Sequence, residues 1–398
     1  MMTSGEINIF TRQSNFSTAF DVIRKWCGTD PEKHAYPGAV FLVARQGEIL
    51  VHKAFGYMNL NADPTPMTVD CVFDIASLTK VIATTTAILI LIDQGEIGLD
   101  DSVRHFAPCL LDHPLGSARI VHLLTHTLEF EGWVPPFKVG VYRDDIPFFM
   151  RNLKLSRPPG TGVRYSCPGF ILLGWIVEKV SGMRLDDFTR EMIFTPLDMK
   201  DTMFLPLDKS LPDNIRARIL PTEPRSAVLR GKEIMAAFAG LNKREWALRH
   251  IAGDIPCGVV HDENSAWFGG VAGNAGLFST AMDLFKFGQM YLNGGTYKGK
   301  SILSNAAVRV AQRNWTVNLP GDDERGLGWQ LAVPGGPLGD LVPQGCFGHT
   351  GFTGAVIWIY PKGELIVVFL TNRLLFTRSN KHILRVRRLL ANTVFKEI

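Results

Sequence analysis

The two ends of this 398-residue chain carry the same strand pattern, and this repetition constrains the fold more than any other feature. Residues 38–58 contain two apolar runs around a Gln-Gly-Glu turn, which predicts two strands joined by a tight hairpin. Residues 355–360 and 365–370 form a second pair around a Pro-Lys-Gly-Glu turn. Helical patterns flank the two pairs, at about residues 16–26 and 379–395. We therefore expect one antiparallel sheet covered by terminal helices.

The middle of the chain, roughly residues 80–300, has mainly helical patterns separated by proline and glycine clusters. The predicted helices cover residues 81–94, 120–125, 170–180, 185–193 and 281–292. These patterns predict an α+β protein with two lobes. Residues 1–75 and 300–398 would form a discontinuous α/β lobe, and residues 76–299 a mainly helical inserted lobe. A cleft between two such lobes is the expected place for an active site.

The composition excludes nucleic acid as a partner. The chain has 46% hydrophobic and 20% charged residues, and its formal net charge is only +4. No dense cluster of lysine and arginine is interleaved with aromatic residues. The basic run Arg385, Arg387 and Arg388 is interpreted as the solvated face of the C-terminal helix. The expected partner is therefore a small-molecule or peptide substrate.

Neither a metal nor another cofactor is expected. The six cysteines have no Cys-x-x-Cys spacing, which argues against a zinc ribbon and a dithiol redox site. Three histidines, His126, His261 and His349, lie too far apart in the sequence for metal-ligand spacing.

The expected location is the cytoplasm. The dispersed cysteines fit reduced thiols, and the first 20 residues lack an apolar core of signal-peptide length. The longest apolar run, residues 81–92, is too short to span a bilayer, so no membrane span is expected. A periplasmic or secreted location stays open if a leader has been removed.

One serine in the chain has a lysine three positions later, in Ser77-Leu78-Thr79-Lys80. In a helix this offset brings the two side chains to within roughly 5–6 Å at Cβ. A hydroxyl beside an amine is a plausible pair of nucleophile and base. The start of a helix also favours the negative charge of an alkoxide. The alternative is a helix-capping serine followed by a solvated lysine.

Two further segments could contribute to such a site. Tyr165 follows the breaker-rich residues 158–162, and a loop tyrosine near a cation could act as a base. His349-Thr350-Gly351 precedes a predicted strand, where small residues allow a ligand to approach the backbone and an N–H group to face an oxyanion. The alternatives are a tyrosine that packs at a helix start and a glycine-rich turn with a surface histidine.

In this order, Ser77-x-x-Lys80, Tyr165-Ser166-Cys167 and His349-Thr350-Gly351 resemble the three motifs of the penicillin-recognising serine hydrolases. This superfamily includes class C β-lactamases, DD-peptidases and related esterases. The likeness extends over most of the chain, through framework segments at residues 123–127, 159–161, 172–174, 196–199, 270–279 and 326–329. The resemblance implies the β-lactamase/transpeptidase-like fold, an antiparallel sheet with terminal helices and a helical insert.

The resemblance also implies roles for individual residues. Ser77 would be the acylated nucleophile, Lys80 would help to remove its proton, and Tyr165 would serve as general base and then as general acid. Which of Lys80 and Tyr165 takes the first proton stays open. The backbone N–H groups of Ser77 and Phe352 would form the oxyanion hole. The expected substrate-binding residues are Cys167, His349, Thr350 and Gly351.

The chain departs from the family pattern at Leu128-Glu129, where relatives usually have a small residue and glycine, and at two positions of the motifs themselves. Cys167 stands where relatives commonly have an asparagine that contacts the acylamido group of the substrate, and a thiol is a weaker hydrogen-bonding group. His349 stands where many relatives have lysine, so the positive charge there is expected to titrate near neutral pH. An efficient β-lactamase is therefore not expected.

The resemblance predicts a serine hydrolase that works through an acyl-enzyme. Its expected substrates are D-amino-acid peptides of the cell-wall type, β-lactams or small carboxylic esters. One alternative is a dedicated esterase or acyltransferase. Another is a catalytically silent penicillin-binding module. An α/β-hydrolase is disfavoured because the chain has no Gly-x-Ser-x-Gly.

Overall fold

The computed structural model describes residues 16–131, 143–206, 210–223, 257–321, 323–333, 336 and 338–398. The strands are β1 (Gly38–Arg45), β2 (Glu48–Gly56), β3 (Phe73–Asp74), β4 (Phe130–Glu131), β5 (Lys154–Leu155), β6 (Met203–Phe204), β7 (Leu277–Ser279), β8 (Thr296–Tyr297), β9 (Lys300–Ser301), β10 (Gln330–Leu331), β11 (Phe347–Thr350), β12 (Val356–Tyr360) and β13 (Leu365–Thr371). Within these ranges, no helix is both long and apolar enough to cross a membrane.

The α-helices of the described residues alternate with short turns of other helical types. The α-helices are α1 (Ser17–Trp26), α2 (Thr86–Asp93), α3 (Val103–Phe106), α4 (Ile120–Leu124), α5 (Ile146–Met150), α6 (Cys167–Ser181), α7 (Leu185–Thr189), α8 (Asp213–Arg216), α9 (Glu263–Trp267), α10 (Ala281–Leu292), α11 (Asn305–Gln312) and α12 (His382–Glu397). The π-helical turns are Lys80–Thr85 and Arg190–Phe194, and the 3₁₀ turns are Pro108–Leu110, Pro114–Ser117, Arg143–Asp145, Pro361–Gly363 and Arg373–Leu375.

The two ends of the chain form one sheet, as predicted. Six strands lie in the order β10-β11-β12-β13-β1-β2, and every neighbouring pair is antiparallel. The N-terminal hairpin joins the C-terminal one where β1 pairs with β13, for example Phe41 with Phe369. Strand β13 is buried along its whole length, because the sheet is covered on both faces.

Alternate residues of the central strands belong to two separate cores. Phe41 and Phe369 pack with α1 and α12, through residues such as Ile23 and Val386. Val40, Leu42, Ile357 and Val368 face the opposite side, where the core continues into α2, α6 and α10. The terminal helices therefore cover one face, and the helices of the middle segment cover the other. The domain boundaries at residues 75/76 and 299/300 stay a prediction.

Two helices in the middle segment differ from their predicted form. Helix α6 begins at Cys167, earlier than residue 170, because Pro168 needs no hydrogen-bond acceptor in the first turn of a helix. The predicted helix at residues 81–94 starts as the π-helical turn at Lys80, where the Thr86 Oγ1 donates to the Val81 carbonyl at 2.9 Å. Such π turns occur often at functional sites.

A second, small sheet and a close contact at Gly273 position the helix that starts at Lys80. The sheet has the order β3-β7-β6, so that β3 brings the chain to Ser77. Gly273 lies against α6 so closely that a Cβ atom there would stand 2.1 Å from the Phe170 carbonyl oxygen. This close approach brings the residues after Gly273 beside Lys80.

The Gly273 contact leads to a prediction about stability. We expect Gly273→Ala to lower the free energy of unfolding by about 1–3 kcal/mol, because the backbone of α6 must move to admit the methyl group. Gly98→Ala is the matched control, since its Cβ atom would meet its nearest neighbour at an ordinary 3.4 Å. Urea unfolding measures both values, and equal stability of the two variants would contradict the prediction.

Candidate active site

Ser77 lies on a turn that two buried side chains hold in place. The preceding residue, Ala76, has φ of +46°, a left-handed conformation that is costly for a residue with a Cβ atom. The Asp74 carboxylate accepts a 2.8 Å bond from the Ala76 N–H and a 2.7 Å bond from the His261 N–H. The Thr79 hydroxyl donates to the Ala76 carbonyl at 2.6 Å. These bonds offset the strain and fix the direction of the Ser77 side chain.

Lys80 is completely buried and connects three distant parts of the chain. Its Nζ donates to the Ser77 Oγ at 3.1 Å, to the Asn274 carbonyl oxygen at 2.9 Å and to the Cys167 Sγ at 3.6 Å. Burial acts to lower the pKa of Lys80, but its neighbours Cys167 and Tyr165 act to raise it, and the net direction is upward. The solvated lysine of the capping alternative is therefore not what the structure contains.

Tyr165 lies beside the same ammonium group, in the loop that leads into α6. The Lys80 Nζ is 5.0 Å from the centre of the Tyr165 ring, and the guanidinium carbon of Arg325 is 5.7 Å from it. The opposite contact is the His126 ring, whose centre is 4.6 Å away. Tyr165 is thus held between two cations and an aromatic ring, with part of its side chain exposed to the cleft.

His126 is a neutral support for this loop. Its Nδ1 accepts a 3.1 Å bond from the backbone N–H of Ser166, which places the ring proton on Nε2. Burial, followed by the charges of Arg325 and Lys80, holds the pKa of His126 well below its usual range. The sequence included His126 in a framework segment, but no spacing indicated that it would stack on Tyr165.

His349 is also buried and neutral, in contrast to the expectation from the sequence. Its Nδ1 is 2.9 Å from the Thr350 carbonyl oxygen, which can only accept, so this nitrogen carries the proton. Burial and the charges of Arg325 and Lys80 hold the pKa of His349 well below its usual range. The prediction that His349 titrates near neutral pH is therefore wrong, because burial and, after it, the charges of Arg325 and Lys80 disfavour the protonated ring.

The predicted site residues meet at one cavity of about 520 Å³. Its wall includes Ser77, Tyr165, Cys167, His349, Thr350, Gly351 and Phe352, and Lys80 lies behind Ser77. Further wall residues that the sequence did not single out are Ala76, His261, Asp262, Glu263, Ala275, Asp323, Arg325, Gln330, Arg378, Leu384 and Arg387. Among the described residues, neither the Ser77 N–H nor the Phe352 N–H has a hydrogen-bond acceptor.

Arg325 and Phe352 form part of two different walls of the cavity. The Arg325 guanidinium is almost completely buried and bonds to the Asp323 carboxylate at 2.5 Å. The Phe352 ring stacks on His261 with centres 5.4 Å apart, and the guanidinium carbon of Arg373 lies 4.8 Å from its centre. The only signal for Arg325 in the sequence was its place directly before the Gly326-Leu327-Gly328-Trp329 framework segment.

One interpretation of the basic run in the C-terminal helix needs correction. Arg388 is half exposed and bonds to Asp340, as expected of a solvated face. Arg387 is buried instead and reaches the cavity wall. Neighbouring positions on a helix point about 100° apart, so one arginine faces solvent while the next faces the sheet. The described residues contain no group of three or more potential metal ligands.

Known proteins resemble the chain over most of its length. A profile of the family described as Beta-lactamase matches residues 23–392. A putative D-alanyl-D-alanine carboxypeptidase of Escherichia coli O157:H7 is 30% identical over 94% of this chain and 87% of the relative. A penicillin-binding protein homologue from Caulobacter crescentus superimposes with a TM-score of 0.68, at 19% identity over 96% of this chain and 98% of that structure. For a class C β-lactamase from Rhodobacter sphaeroides the TM-score is 0.67, at 21% identity and the same coverage.

The buried histidines lead to a prediction about pH. A histidine whose folded-state pKa is lowered binds protons more readily in the unfolded chain, so stability falls as the pH drops below about 6.5. We expect His349→Gln to lose less free energy of unfolding than the wild type between about pH 7 and about pH 5. Urea unfolding at the two pH values measures the difference. Parallel losses in the two proteins would show that His349 is not held neutral.

Proposed function

The chain belongs to the beta-lactamase family of serine hydrolases, and on that premise we propose that Ser77 forms and then releases an acyl-enzyme. The single observation that carries this proposal is the buried Lys80 ammonium, which bonds to the Ser77 Oγ at 3.1 Å inside the cavity. A helix cap would need no such lysine. A buried cation beside a hydroxyl favours the alkoxide that attacks a carbonyl.

Tyr165 is the general base in the proposed reaction. The upward pKa of Lys80 keeps it an ammonium group, which leaves it no free lone pair to accept the Ser77 proton. Lys80 and Arg325 both lie against the Tyr165 ring, so the proposed base works beside two cations. Tyr165 then returns the proton to the leaving group. The Nε2 atom of the neutral His349 has no hydrogen-bond partner among the described residues, so its lone pair is available to accept a hydrogen bond during the reaction.

The oxyanion hole is proposed to consist of the Ser77 and Phe352 N–H groups. Both line the cavity and lack acceptors among the described residues. Donors that are already oriented lower the energy of a tetrahedral intermediate without reorganisation. The Ser77 donor follows the hydrogen-bonded turn around Ala76, and the Phe352 donor follows the end of β11.

Two features bear on the proposed substrate class of small esters and short D-amino-acid peptides. Arg325 brings a guanidinium group to the cavity wall, where it is paired with Asp323, and a guanidinium group suits a substrate carboxylate. Cys167 offers the acyl side only a thiol, already in contact with Lys80, so recognition of an acylamido group is weak. This second feature favours esters over amides and penicillins, and penicillins should acylate slowly.

The proposed location follows from the cysteines. All six are unpaired, which fits a reducing compartment such as the cytoplasm. There the natural peptide substrates would be soluble fragments of recycled cell wall rather than the cross-linked wall itself.

The first prediction from the proposed function concerns the nucleophile. After incubation with a penicillin or an activated ester, we expect an acyl adduct on the wild type and none on Ser77→Ala. Ser102→Ala is the matched control, because Ser102 precedes a helix outside the cavity and makes no capping bond. Intact-mass spectrometry measures the adduct. Equal labelling of the wild type and Ser77→Ala would contradict the proposal.

The second prediction concerns the base. We expect Tyr165→Phe to lower kcat for p-nitrophenyl acetate by about 10²–10⁴-fold, the usual cost of removing a general base. Tyr57→Phe is the control, since Tyr57 is equally exposed at 37% but lies outside the cavity wall. Near-full turnover by Tyr165→Phe would exclude the assigned role.

The third prediction concerns substrate preference. We expect Cys167→Asn to raise the ratio of D-alanyl amide cleavage to acetate ester cleavage, because an asparagine amide can bond to an acylamido group. Cys109→Ser, at another partly exposed cysteine, should leave that ratio unchanged. The ratio of the two kcat/KM values is the measurement. The same ratio in both variants would show that the thiol does not set the preference.

A further inference from the structure

Arg387 is a buried cation that reaches the cavity from the C-terminal helix α12. Its Nη2 donates to the carbonyl oxygens of Gly351 and Ala355, the latter at 3.1 Å. The Ala355 carbonyl also accepts a 2.7 Å bond from the Gly351 N–H, which closes the turn between β11 and β12. Arg387 therefore holds the segment that carries Phe352 from behind.

No carboxylate compensates this charge within the part of the chain that the structure describes. The other arginines of the cavity wall are paired, Arg325 with Asp323 and Arg378 with Glu223 and Glu263. Arg387 has only carbonyl partners and a second cation, Arg373, nearby. Burial lowers its pKa to about 9, which still leaves it charged at neutral pH. An unpaired buried charge destabilises the fold, so its retention points to a use in the site.

The Gly351 carbonyl and the Phe352 N–H belong to one peptide group. When a cation binds the oxygen of an amide, electron density moves away from the nitrogen and its N–H becomes a stronger donor. The next peptide is held in the same way, because the Arg373 Nε donates to the Phe352 carbonyl at 2.7 Å. Both peptide groups that flank Phe352 thus carry a guanidinium on their oxygen.

The position of this peptide is set by close packing against the strand that leads to Ser77. A Cβ atom on Gly351 would stand 2.4 Å from the Ile75 carbonyl oxygen, so only glycine fits there. Ile75 is two residues before Ser77. The Gly351–Phe352 peptide therefore packs directly against the backbone that leads to Ser77, and Arg387 bonds to the carbonyl oxygen of the same peptide.

We propose that Arg387 is a positioning residue for catalysis, which orients and polarises the Gly351–Phe352 peptide so that its N–H stabilises the oxyanion. The inference rests on the proposed acyl-enzyme function and deepens it. The uncompensated charge strengthens the bond as negative charge develops on the oxygen of the tetrahedral intermediate. The benefit is larger in the transition state than for the neutral bound substrate, so Arg387 acts on kcat and hardly on KM.

The test compares Arg387→Gln with Arg388→Gln. Arg388 is the neighbour on the same helix, and its partner is Asp340 on the surface. We expect Arg387→Gln to lower kcat for p-nitrophenyl acetate by about tenfold or more. The loss should stay smaller than the ~10²–10³-fold loss that follows removal of an oxyanion donor itself. The affinity for phenylboronic acid, which forms a tetrahedral anion on a serine, should fall by the same factor while KM stays within about twofold. Arg388→Gln should match the wild type in all three quantities.

Three outcomes overturn the inference: an unchanged kcat in folded Arg387→Gln, a change in KM alone, or a lower kcat with unchanged boronate affinity. If the wild type itself forms no acyl-enzyme, the proposed function fails together with the inference. If the wild type is acylated and Arg387→Gln is acylated equally fast, only the inference fails.

A second variant keeps the test open if Arg387→Gln does not fold. Arg387→Lys retains a charge, but a buried lysine gives up its proton more readily than an arginine. We expect kcat of Arg387→Lys to fall with rising pH from a lower pH than in the wild type, while KM does not change. Parallel pH profiles of kcat in the two folded proteins would overturn the inference.

Discussion

The rest of the site depends on the hydrogen bonds of the buried Lys80 ammonium group. It bonds to Ser77, to the backbone of Asn274 and to Cys167, which come from three separate segments. A buried charge is tolerated only when polar groups bond to it. The start of α6 at Cys167 and the backbone at Asn274 must therefore both lie close to the π-helical turn that begins at Lys80. The glycine at 273 permits this approach because it has no side chain.

The electrostatic character of the cleft comes from residues that stay charged and residues that stay neutral. Burial, followed by the charges of Arg325 and Lys80, holds the pKa of both His126 and His349 well below its usual range. A histidine in the third motif therefore does not make the site a sensor of neutral pH. Its fixed tautomer offers a lone pair, while Arg325 brings a guanidinium group, paired with Asp323, to the cavity wall.

Much of the fold and half of the site could be predicted from the sequence. The hairpins are local and periodic, and Ser77, Lys80, Tyr165 and His349 belong to short motifs. Asp74, His126 and Arg387 were not predicted as functional residues, because they act through backbone groups up to 187 residues away. A carbonyl or N–H is present at almost every position, so no spacing in the sequence shows which one a side chain will reach.

The sequence by itself determined the strand pairs at both ends, the helical middle segment and the three motifs, because these depend on local periodicity and short spacings. Only the tertiary structure decided which side chains of the site are charged and which residues hold the catalytic segments in place. Whether Lys80 is solvated, whether His349 titrates, and which of Arg387 and Arg388 faces the sheet depend on burial and on neighbours distant in the chain. Desolvation and charge act through space, and a linear pattern contains no such distances.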